Sequence, residues 1–212
     1  MFIAFEGIDG SGKSSAMSAA AAYFRERGKT ICETAQPGST PIGQKLRELL
    51  KSHTPMTPTT QALLFAASFH EASAQLIVPA LKRNEWVFSD RFSDSTIAYQ
   101  SAGDSVNQQI IEGILSVSCT RQPDLTLYYD APATVALART AQRGESQKDR
   151  FESKGTQYQE AVRQKYLELA EQNLKGVVID TALLNQAEVL KVTIAQIEFH
   201  ASTISKQTKH KS

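Results

Sequence analysis

The chain alternates between short apolar runs and longer segments in which apolar residues recur every three or four positions. Short apolar runs between polar turns are typical of buried strands, whereas the longer spacing is typical of helices that pack on one face. The pattern predicts strands at Phe2–Glu6, Thr30–Thr34, Trp86–Ser89, Leu125–Asp130 and Val177–Asp180. It predicts helices around Ser14–Arg27, Pro41–Lys51, Thr59–Arg83, Val106–Ser118, Ala133–Gln142, Thr156–Asn173 and Asn185–Ser202.

Strands and helices follow one another in the order that a parallel sheet needs, because parallel neighbours must be joined by a crossover. We therefore predict an α/β fold of three layers, α/β/α, with a five-stranded parallel sheet in the middle. No repeat or break in composition divides the chain, so residues 1–204 are expected to form a single domain. The last stretch, 205–212, is polar and basic and is expected to be a disordered tail.

Composition excludes several classes of protein. The 212 residues are 41% hydrophobic and 21% charged, as in ordinary globular domains, and the formal net charge of +1 gives no overall field that would attract nucleic acid. The two cysteines, Cys32 and Cys119, lack a metal-ligand spacing and suit a reducing compartment, so a cytoplasmic protein is expected. No signal peptide or membrane span is recognised, and neither nucleic acid nor a membrane is expected as a partner.

Residues 7–14, Gly-Ile-Asp-Gly-Ser-Gly-Lys-Ser, match every fixed position of the phosphate-binding pattern G-x-x-x-x-G-K-[ST]. The motif lies between a predicted strand and a predicted helix, where unpaired backbone N–H groups converge on an anion. Lys13 is expected to reach the phosphates of ATP and Ser14 to hold Mg²⁺. The predicted fold is thus like that of the P-loop NTPases. The nucleotide-binding residues predicted here are Gly7, Asp9, Gly10, Ser11, Gly12, Lys13, Ser14 and Ser15.

Two further segments directly follow predicted strands. Asp90 and Arg91 end the third strand, where a carboxylate beside a guanidinium is unsuited to fill a core. Asp90 has the position of a carboxylate that supports Mg²⁺, and Arg91 could bind a second phosphate through two parallel hydrogen bonds. After the second strand, Pro37-Gly38 predicts a rigid turn beside the neutral side chain of Gln36, although this segment alone is more typical of an ordinary loop.

Helical segments supply aromatic and polar candidates. Phe65 and Phe69 are four residues apart and share one helix face; such a pair is usually core, and a stacking surface for a base is the functional alternative. Thr96, Tyr99 and Gln100 also share one face of a predicted helical turn.

The charge cluster at residues 139–150 contains Arg139, Arg143 and Arg150 and is interrupted by Gly144. Alone it is typical of a solvated helix end. Together with a phosphate loop it predicts an arginine-containing lid, about residues 143–153. Phosphoryl transfer needs positive charge on the transferring group and exclusion of water, and such a lid supplies both.

In this order the segments resemble those of the bacterial thymidylate kinase family, which phosphorylates dTMP to dTDP. The resemblance extends from Phe2 to about Val189. It is carried by Glu6-Gly-Ile-Asp-Gly-Ser-Gly-Lys13, Pro37-Gly38, Asp90-Arg91-Phe92, Ala98-Tyr99-Gln100, Arg121-Gln-Pro-Asp124, Arg143-Gly-Glu and Asp149-Arg150-Phe-Glu152. The resemblance implies a nucleoside monophosphate kinase that uses ATP and Mg²⁺ on a small-molecule acceptor, and it implies a homodimer.

The resemblance also implies individual roles. Lys13, Asp9 and Arg91 would be catalytic together with the lid residues Arg143 and Arg150, and Arg139 would contact the nucleotide. Eukaryotic members of the family have an arginine at position 10, where this chain has Gly10. In this respect the chain is similar to the class of members that places its catalytic arginines in the lid. The acceptor would be bound by Asp9, Gln36, Pro37, Phe65, Phe69, Arg91, Thr96, Tyr99 and Gln100.

Two departures from the family pattern concern the acceptor. Phe69 replaces an arginine that the family places one turn after the stacking phenylalanine, and Ala35-Gln36 replaces Arg-Glu. The hypotheses are therefore a dTMP kinase, a kinase for another or a modified nucleoside monophosphate, and a nucleotide-binding regulatory protein that has lost acceptor chemistry. A deoxynucleoside kinase would need a carboxylate base after the first strand, where Glu6 lies.

Overall fold

The computed structural model describes residues 1–142 and 150–209. Within these ranges the apolar runs form five parallel strands of one sheet, in the order β2-β3-β1-β4-β5. The predicted five-stranded parallel sheet is confirmed, and β2 lies one residue further along the chain than expected. The strands are β1 (Phe2–Glu6), β2 (Ile31–Ala35), β3 (Trp86–Asp90), β4 (Leu125–Asp130) and β5 (Gly176–Asp180).

Helices connect the strands. Thr40 and Thr57 begin two of them, because each side chain accepts a hydrogen bond from a backbone N–H of the first turn and a proline follows directly. The helices are α1 (Lys13–Glu26), α2 (Pro41–Lys51), α3 (Pro58–Ala72), α4 (Val78–Lys82), α5 (Ser93–Ile97), α6 (Gln108–Ser118), α7 (Ala133–Gln142), α8 (Gly155–Gln172) and α9 (Gln186–Lys209).

The central strand β1 shows why the fold has three layers. All five of its residues are buried, and successive side chains point to opposite faces of the sheet. Ile3 and Phe5 pack in a cluster with α1 and α9, whereas Phe2 and Ala4 pack in a cluster with α3 and α6. Helices therefore cover both faces, as predicted for a strand that is apolar throughout.

The long helix predicted at Thr59–Arg83 is divided into three parts. Between α3 and α4 the chain forms a π-helical turn at Ser73–Ile77. Pro79, the second residue of α4, has no N–H to donate to the preceding turn, so an uninterrupted α-helix is not possible here. A second π-helical segment, Ala98–Gly103, follows α5, and a 3₁₀ turn at Glu152–Lys154 precedes α8.

The prediction of a disordered tail at 205–212 is wrong for residues 205–209. Helix α9 continues to Lys209, because Ser205–Lys209 contains neither glycine nor proline to end it. Residues 210–212 lie outside the described ranges, as does the lid segment 143–149. None of the described helices combines the length and the apolar character that crossing a bilayer requires.

The sheet order places chemically active segments at one edge. Strand β1 lies between β3 and β4. The connection after β1 leads to β2 in one half of the sheet and the connection after β4 leads to β5 in the other, and α/β proteins bind ligands where the direction of the connections changes in this way. In the register, Asp90 is level with Phe5 of β1 and with Ala35 of β2. The loops that follow β1, β2 and β3 therefore leave the sheet side by side.

We expect the Phe88→Ala variant to lose about 3–5 kcal/mol of unfolding free energy, because Phe88 is completely buried and packs against Phe5 and Phe24. Urea unfolding followed by circular dichroism measures the loss. The matched control is Phe199→Ala, since Phe199 is 71% exposed on α9 and should change stability by less than about 0.5 kcal/mol. Equal losses in the two variants would contradict the assignment of Phe88 to the core.

Candidate active site

The phosphate loop connects β1 to α1 and depends on glycine at two positions. Gly10 and Gly12 have φ angles of +85° and +93°, in the region that favours glycine. A Cβ on Gly10 would lie only 2.1 Å from the Ala136 carbonyl oxygen, so the loop is in close contact with α7. Gly12 is the N-cap of α1 and no side chain caps that helix, which suits its N-terminus to an anion.

Lys13 lies between two carboxylates. Its Nζ atom is 3.2 Å from Asp9 Oδ1 and 3.8 Å from Asp90 Oδ1, and its side chain is almost completely buried. Asp9 comes from the phosphate loop and Asp90 from the end of β3. The structure therefore brings Lys13, Asp9 and Asp90 together at one point.

Ser14 and Asp90 provide oxygen atoms that would suit Mg²⁺. The Ser14 hydroxyl donates to Asp90 Oδ2 at 2.5 Å, while buried Asp90 Oδ1 accepts no hydrogen bond from the described residues. A hydroxyl and a carboxylate beside a phosphate site are the few protein ligands that Mg²⁺ normally takes. No cluster of three or more His, Cys, Asp or Glu side chains suited to a metal occurs in the described ranges. A metal site whose ligands are all protein side chains is therefore not found there.

Arg91 is held in an unusual backbone conformation at the end of β3. Its φ angle is +69°, and its N–H donates to the Phe5 carbonyl at 2.9 Å. The guanidinium donates through Nη2 to Asp9 Oδ1 at 2.7 Å and through Nη1 to the Gly7 carbonyl at 3.0 Å. It also donates to the hydroxyls of Ser95, Tyr99 and Tyr166.

The ion pair between Asp9 and Arg91 fixes the charge of both groups. Burial alone would raise the pKa of Asp9, but the positive charges of Arg91 and Lys13 outweigh it and hold that pKa well below its usual range. Burial alone would lower the pKa of Arg91, but Asp9 outweighs it and the pKa is raised well above its usual value. Both groups are therefore charged over the physiological range of pH.

Three cavities lie beside the phosphate loop, and two of them are lined by Asp9 and Arg91. The aromatic cavity, of about 600 Å³, is lined by Asp9, Gln36, Pro37, Arg47, Leu50, Lys51, Phe65, Phe69, Arg91, Ser95, Thr96, Tyr99 and Phe151. The cationic cavity, of about 820 Å³, is lined by Asp9, Gly10, Gly12, Lys13, Ser14, Ala35, Gln36, Arg47, Lys51, Asp90, Arg91 and Thr140. The outer cavity, of about 1560 Å³, is lined by Gly10, Ser11, Gly12, Ser15, Arg139 and Thr181 together with residues of α1, α9 and the segment before α9. The cationic cavity shares lining residues with each of the other two, so the three lie side by side, and together they are called the channel below.

Most of the predicted acceptor residues line the aromatic cavity, with two qualifications. Phe69 lines it but is only 1% exposed and packs edge-on against Phe92 at 5.6 Å between ring centroids, so it is mainly a core residue. Gln100 is completely buried and is not among the described residues that line the cavity; neither atom of its amide has a hydrogen-bond partner within the described chain.

The predicted lid arginines are found in different places. Arg139 of α7 lines the outer cavity and donates to the Thr181 carbonyl at 2.7 Å. Arg150 donates to the backbone carbonyl of Thr54, in the loop between α2 and α3, and is not among the described residues of the cationic cavity. Its role at the transferring phosphate stays a prediction. Arg143 lies outside the described residues.

Sequence reasoning missed several residues of the channel. Arg47 and Lys51 of α2 line both the aromatic and the cationic cavity, and Phe151 packs against Phe65 with ring centroids 6.0 Å apart. The spacing of four residues between Arg47 and Lys51, on the helix that follows the Pro37-Gly38 turn, was a usable signal. Phe151 lies in the segment Asp149-Arg150-Phe-Glu152 that carries part of the resemblance, but its contact with Phe65 was not predicted.

Glu6, the last residue of β1, is turned away from the channel. Its side chain is completely buried and accepts hydrogen bonds from Phe92 N at 2.8 Å and from Ser95 Oγ at 2.6 Å. It therefore fixes the start of α5. Burial, followed by the nearby charge of Asp94, raises the pKa of Glu6 to about 8, despite the hydrogen bond from Ser95.

Comparison with known proteins gives a consistent result. A family model described as thymidylate kinase matches residues 5–192. The thymidylate kinase of Nitrosomonas eutropha is 38% identical over 199 residues, 93% of this chain and 92% of that protein. The thymidylate kinase of Cupriavidus pinatubonensis is 43% identical over 174 residues, 81% of this chain and 84% of that protein. A crystal structure of thymidylate kinase from Ehrlichia chaffeensis is similar with a TM-score of 0.75 at 28% identity, covering 93% of this chain and 98% of that one.

The raised pKa of Glu6 predicts a particular dependence of stability on pH. A carboxyl group whose pKa is higher in the folded state stabilises that state below its unfolded pKa of about 4.5, and this contribution is lost as pH rises through about 8. We expect the unfolding free energy of wild type to fall between pH 6 and pH 9 relative to that of Glu6→Gln, measured by urea denaturation. Glu26→Gln, at an exposed carboxylate of α1, should follow wild type. Parallel pH profiles for wild type and Glu6→Gln would contradict the assignment.

Proposed function

Because the chain belongs to the thymidylate kinase family, we propose that it transfers the γ-phosphoryl group of ATP to dTMP and releases ADP and dTDP. The observation that carries the proposal is the channel, in which the cationic cavity lies between the phosphate loop and an aromatic cavity. Such a channel suits two nucleotides that meet phosphate to phosphate.

On the donor side, ATP would place its base and sugar in the outer cavity beside Arg139 and its phosphates on the phosphate loop. Backbone N–H groups at the start of α1 and the ammonium group of Lys13 would bind the β- and γ-phosphates. Ser14 and Asp90 would hold Mg²⁺, which when bound neutralises phosphate charge.

On the acceptor side, the monophosphate of dTMP would lie in the cationic cavity near Arg91, Arg47 and Lys51. Arg91 is already fixed by Asp9, so little conformational entropy is lost when it binds a phosphate oxygen. The acceptor oxygen would then attack the γ-phosphorus in line with the leaving oxygen, and positive side chains on both sides would stabilise the charge of the transition state.

A hydroxyl acceptor is less well supported. A deoxynucleoside kinase needs a carboxylate that can take a proton from the 5′-hydroxyl. Glu6 was the candidate, but its carboxylate accepts hydrogen bonds from Phe92 and Ser95 and is not among the described residues of the cationic cavity. The acceptor is therefore expected to carry its own phosphate oxygen as the nucleophile.

We also propose that the protein is a cytoplasmic homodimer. Both cysteines are free, as is usual in a reducing compartment. Five large apolar side chains are exposed on α2, α3 and α6, and α3 packs against both of the other helices. These side chains are Ile42, Leu49, Leu63, Ile110 and Val117.

We expect Lys13→Ala to lower kcat at least ~100-fold while leaving the unfolding free energy near that of wild type, because the lost charge acts mainly on the transition state. The measurement is ADP release from Mg-ATP with dTMP, dUMP, dCMP, dGMP and dAMP as acceptors. It tests the role of Lys13 in catalysis and the identity of the acceptor. Lys191→Ala, at an exposed lysine of α9, is the matched control and should be fully active. Turnover that survives in Lys13→Ala, or ATP binding with no turnover for any acceptor, would contradict the proposal.

For the dimer, Leu63→Glu is the informative variant, since Leu63 is half-exposed on α3, the middle helix of the three. A charge there should convert a dimer to a monomer in sedimentation equilibrium. Leu183→Glu, at an exposed leucine outside these helices, should leave the mass unchanged. A monomeric wild type would refute the dimer.

A further inference from the structure

We propose that Glu6 is a positioning residue for Arg91: through the hydroxyls of Ser95 and Tyr166, its carboxylate holds the guanidinium in the orientation that receives the acceptor phosphate. This inference rests on the proposed function, since it takes Arg91 as a group that binds that phosphate. Glu6 itself is not among the described residues that line the channel, and it lines a separate cleft with Asp94 and Lys175. Any effect of Glu6 on the acceptor must therefore pass through another residue.

A short chain of hydrogen bonds leads from Glu6 to Arg91. The Ser95 hydroxyl donates to Glu6 Oε2 at 2.6 Å, and Arg91 Nη1 donates to Ser95 Oγ at 3.2 Å. The Tyr166 hydroxyl lies 2.7 Å from Ser95 Oγ and accepts from Arg91 Nη1 at 3.0 Å. Glu6, Ser95 and Tyr166 are all buried, so bulk water does not replace these partners. A single hydroxyl therefore separates the carboxyl group from the guanidinium.

The ionised carboxylate sets the direction of each hydrogen bond in this chain. A carboxylate only accepts, so the one hydrogen of the Ser95 hydroxyl points to Glu6. The Tyr166 hydrogen then points to Ser95, because the two hydroxyls are bonded to each other. The lone pairs of both hydroxyls are left to accept from Arg91, and no hydrogen points at the guanidinium.

A neutral carboxyl group reverses this order. Oε1 of Glu6 already accepts from Phe92 N at 2.8 Å and from Ser95 N at 3.3 Å, so an added proton would lie on Oε2 and point to Ser95. The Ser95 hydrogen would then turn to Tyr166. Among the described residues the Tyr166 hydroxyl bonds only to Ser95 and Arg91, so its own hydrogen would have no acceptor. The neutral form therefore holds Arg91 less firmly.

The change between the two forms falls within an accessible range of pH. Burial, followed by the charge of Asp94, raises the pKa of Glu6 to about 8, so the carboxyl group is mainly neutral at pH 6.5 and mainly ionised at pH 9. The pKa values of Arg91 and of the nearby tyrosines are raised above their usual values, so these groups keep their charge states over that range. The titratable groups that surround Glu6 are Arg91 after β3, Asp94 of α5, Tyr128 of β4, Tyr166 of α8 and Lys175 before β5.

The KM for dTMP, measured by ADP release at saturating Mg-ATP, tests the inference. Glu6→Gln keeps an oxygen for the two backbone N–H groups and turns an amide N–H toward Ser95, so it imitates the neutral form at every pH. Its KM for dTMP should match that of wild type at pH 6.5 and exceed it ~10-fold at pH 9, while the KM for ATP stays near that of wild type. Ionisation of the substrates affects both proteins alike and cancels in the ratio.

Further variants show whether the effect passes through Ser95. Ser95→Ala should raise the KM for dTMP at pH 9 ~10-fold, and adding Glu6→Gln to it should cause little further change, because residues that act through one another are not additive. Asp94→Asn removes a charge beside Glu6 and should move the midpoint of the pH effect to lower pH. Glu26→Gln, at an exposed carboxylate of α1, is the matched control and should follow wild type at both pH values.

Carbon-detected NMR of the Arg91 guanidinium gives a second readout that needs neither substrate nor turnover. The Arg91 resonance, assigned by its loss in Arg91→Lys, should shift with a midpoint near pH 8 in wild type and stay constant in Glu6→Gln. A KM ratio that is the same at pH 6.5 and pH 9, or a resonance that behaves alike in both proteins, would overturn the inference. A protein whose Arg91 responds to Glu6 but which transfers phosphate to no acceptor would refute the proposed function, while the link between Glu6 and Arg91 would stand.

Discussion

The ion pair between Asp9 and Arg91 is the interaction on which the site depends. A guanidinium at the end of β3 is largely removed from water, which is costly unless its donors are paired. Asp9 supplies the countercharge, and the Gly7 carbonyl with three hydroxyls accepts most of the remaining donors. These partners come from the phosphate loop, α5, the segment after it and α8, so a single side chain ties four parts of the molecule together. The unfavourable φ of Arg91 is maintained because this surrounding network holds the residue on all sides.

The charge of the site differs from that of the whole chain. The formal net charge is only +1, yet the cationic cavity has four basic side chains and two acidic ones along its lining. Lys13 and Arg91 come from loops at the sheet edge, and Arg47 and Lys51 come from one helix. A local excess of positive charge inside a cleft attracts phosphates without making the rest of the surface basic.

How far the sequence predicts the structure depends on how local each signal is. The five strands and the phosphate loop were predictable, because apolar runs and the spacing of glycines are read within a few residues. The convergence of Asp90 and Arg91 on the phosphate loop also followed, since parallel strands end at the same edge. By contrast, the contacts that Tyr166 and Phe151 make at the site depend on packing between distant elements, and residue spacing along the chain does not predict such contacts. The split at Ser73–Ile77 was missed because the apolar spacing alone predicts one long helix, and the interruption that Pro79 causes was not taken into account.

Phe69 shows that the sequence can place a residue at the site without showing how deeply it is buried. The sequence placed it on the face of Phe65, and the structure confirms that both line the same cavity. What the sequence did not show is that Phe92 and the core behind it enclose most of the Phe69 ring. The contact between Gly10 and Ala136 has a mechanical consequence as well. Because the phosphate loop and α7 touch with no room for a methyl group between them, neither can move closer to the other. Gly10 therefore sets the distance between α7 and the phosphate loop, and with it the position of Arg139, which α7 carries at the outer cavity.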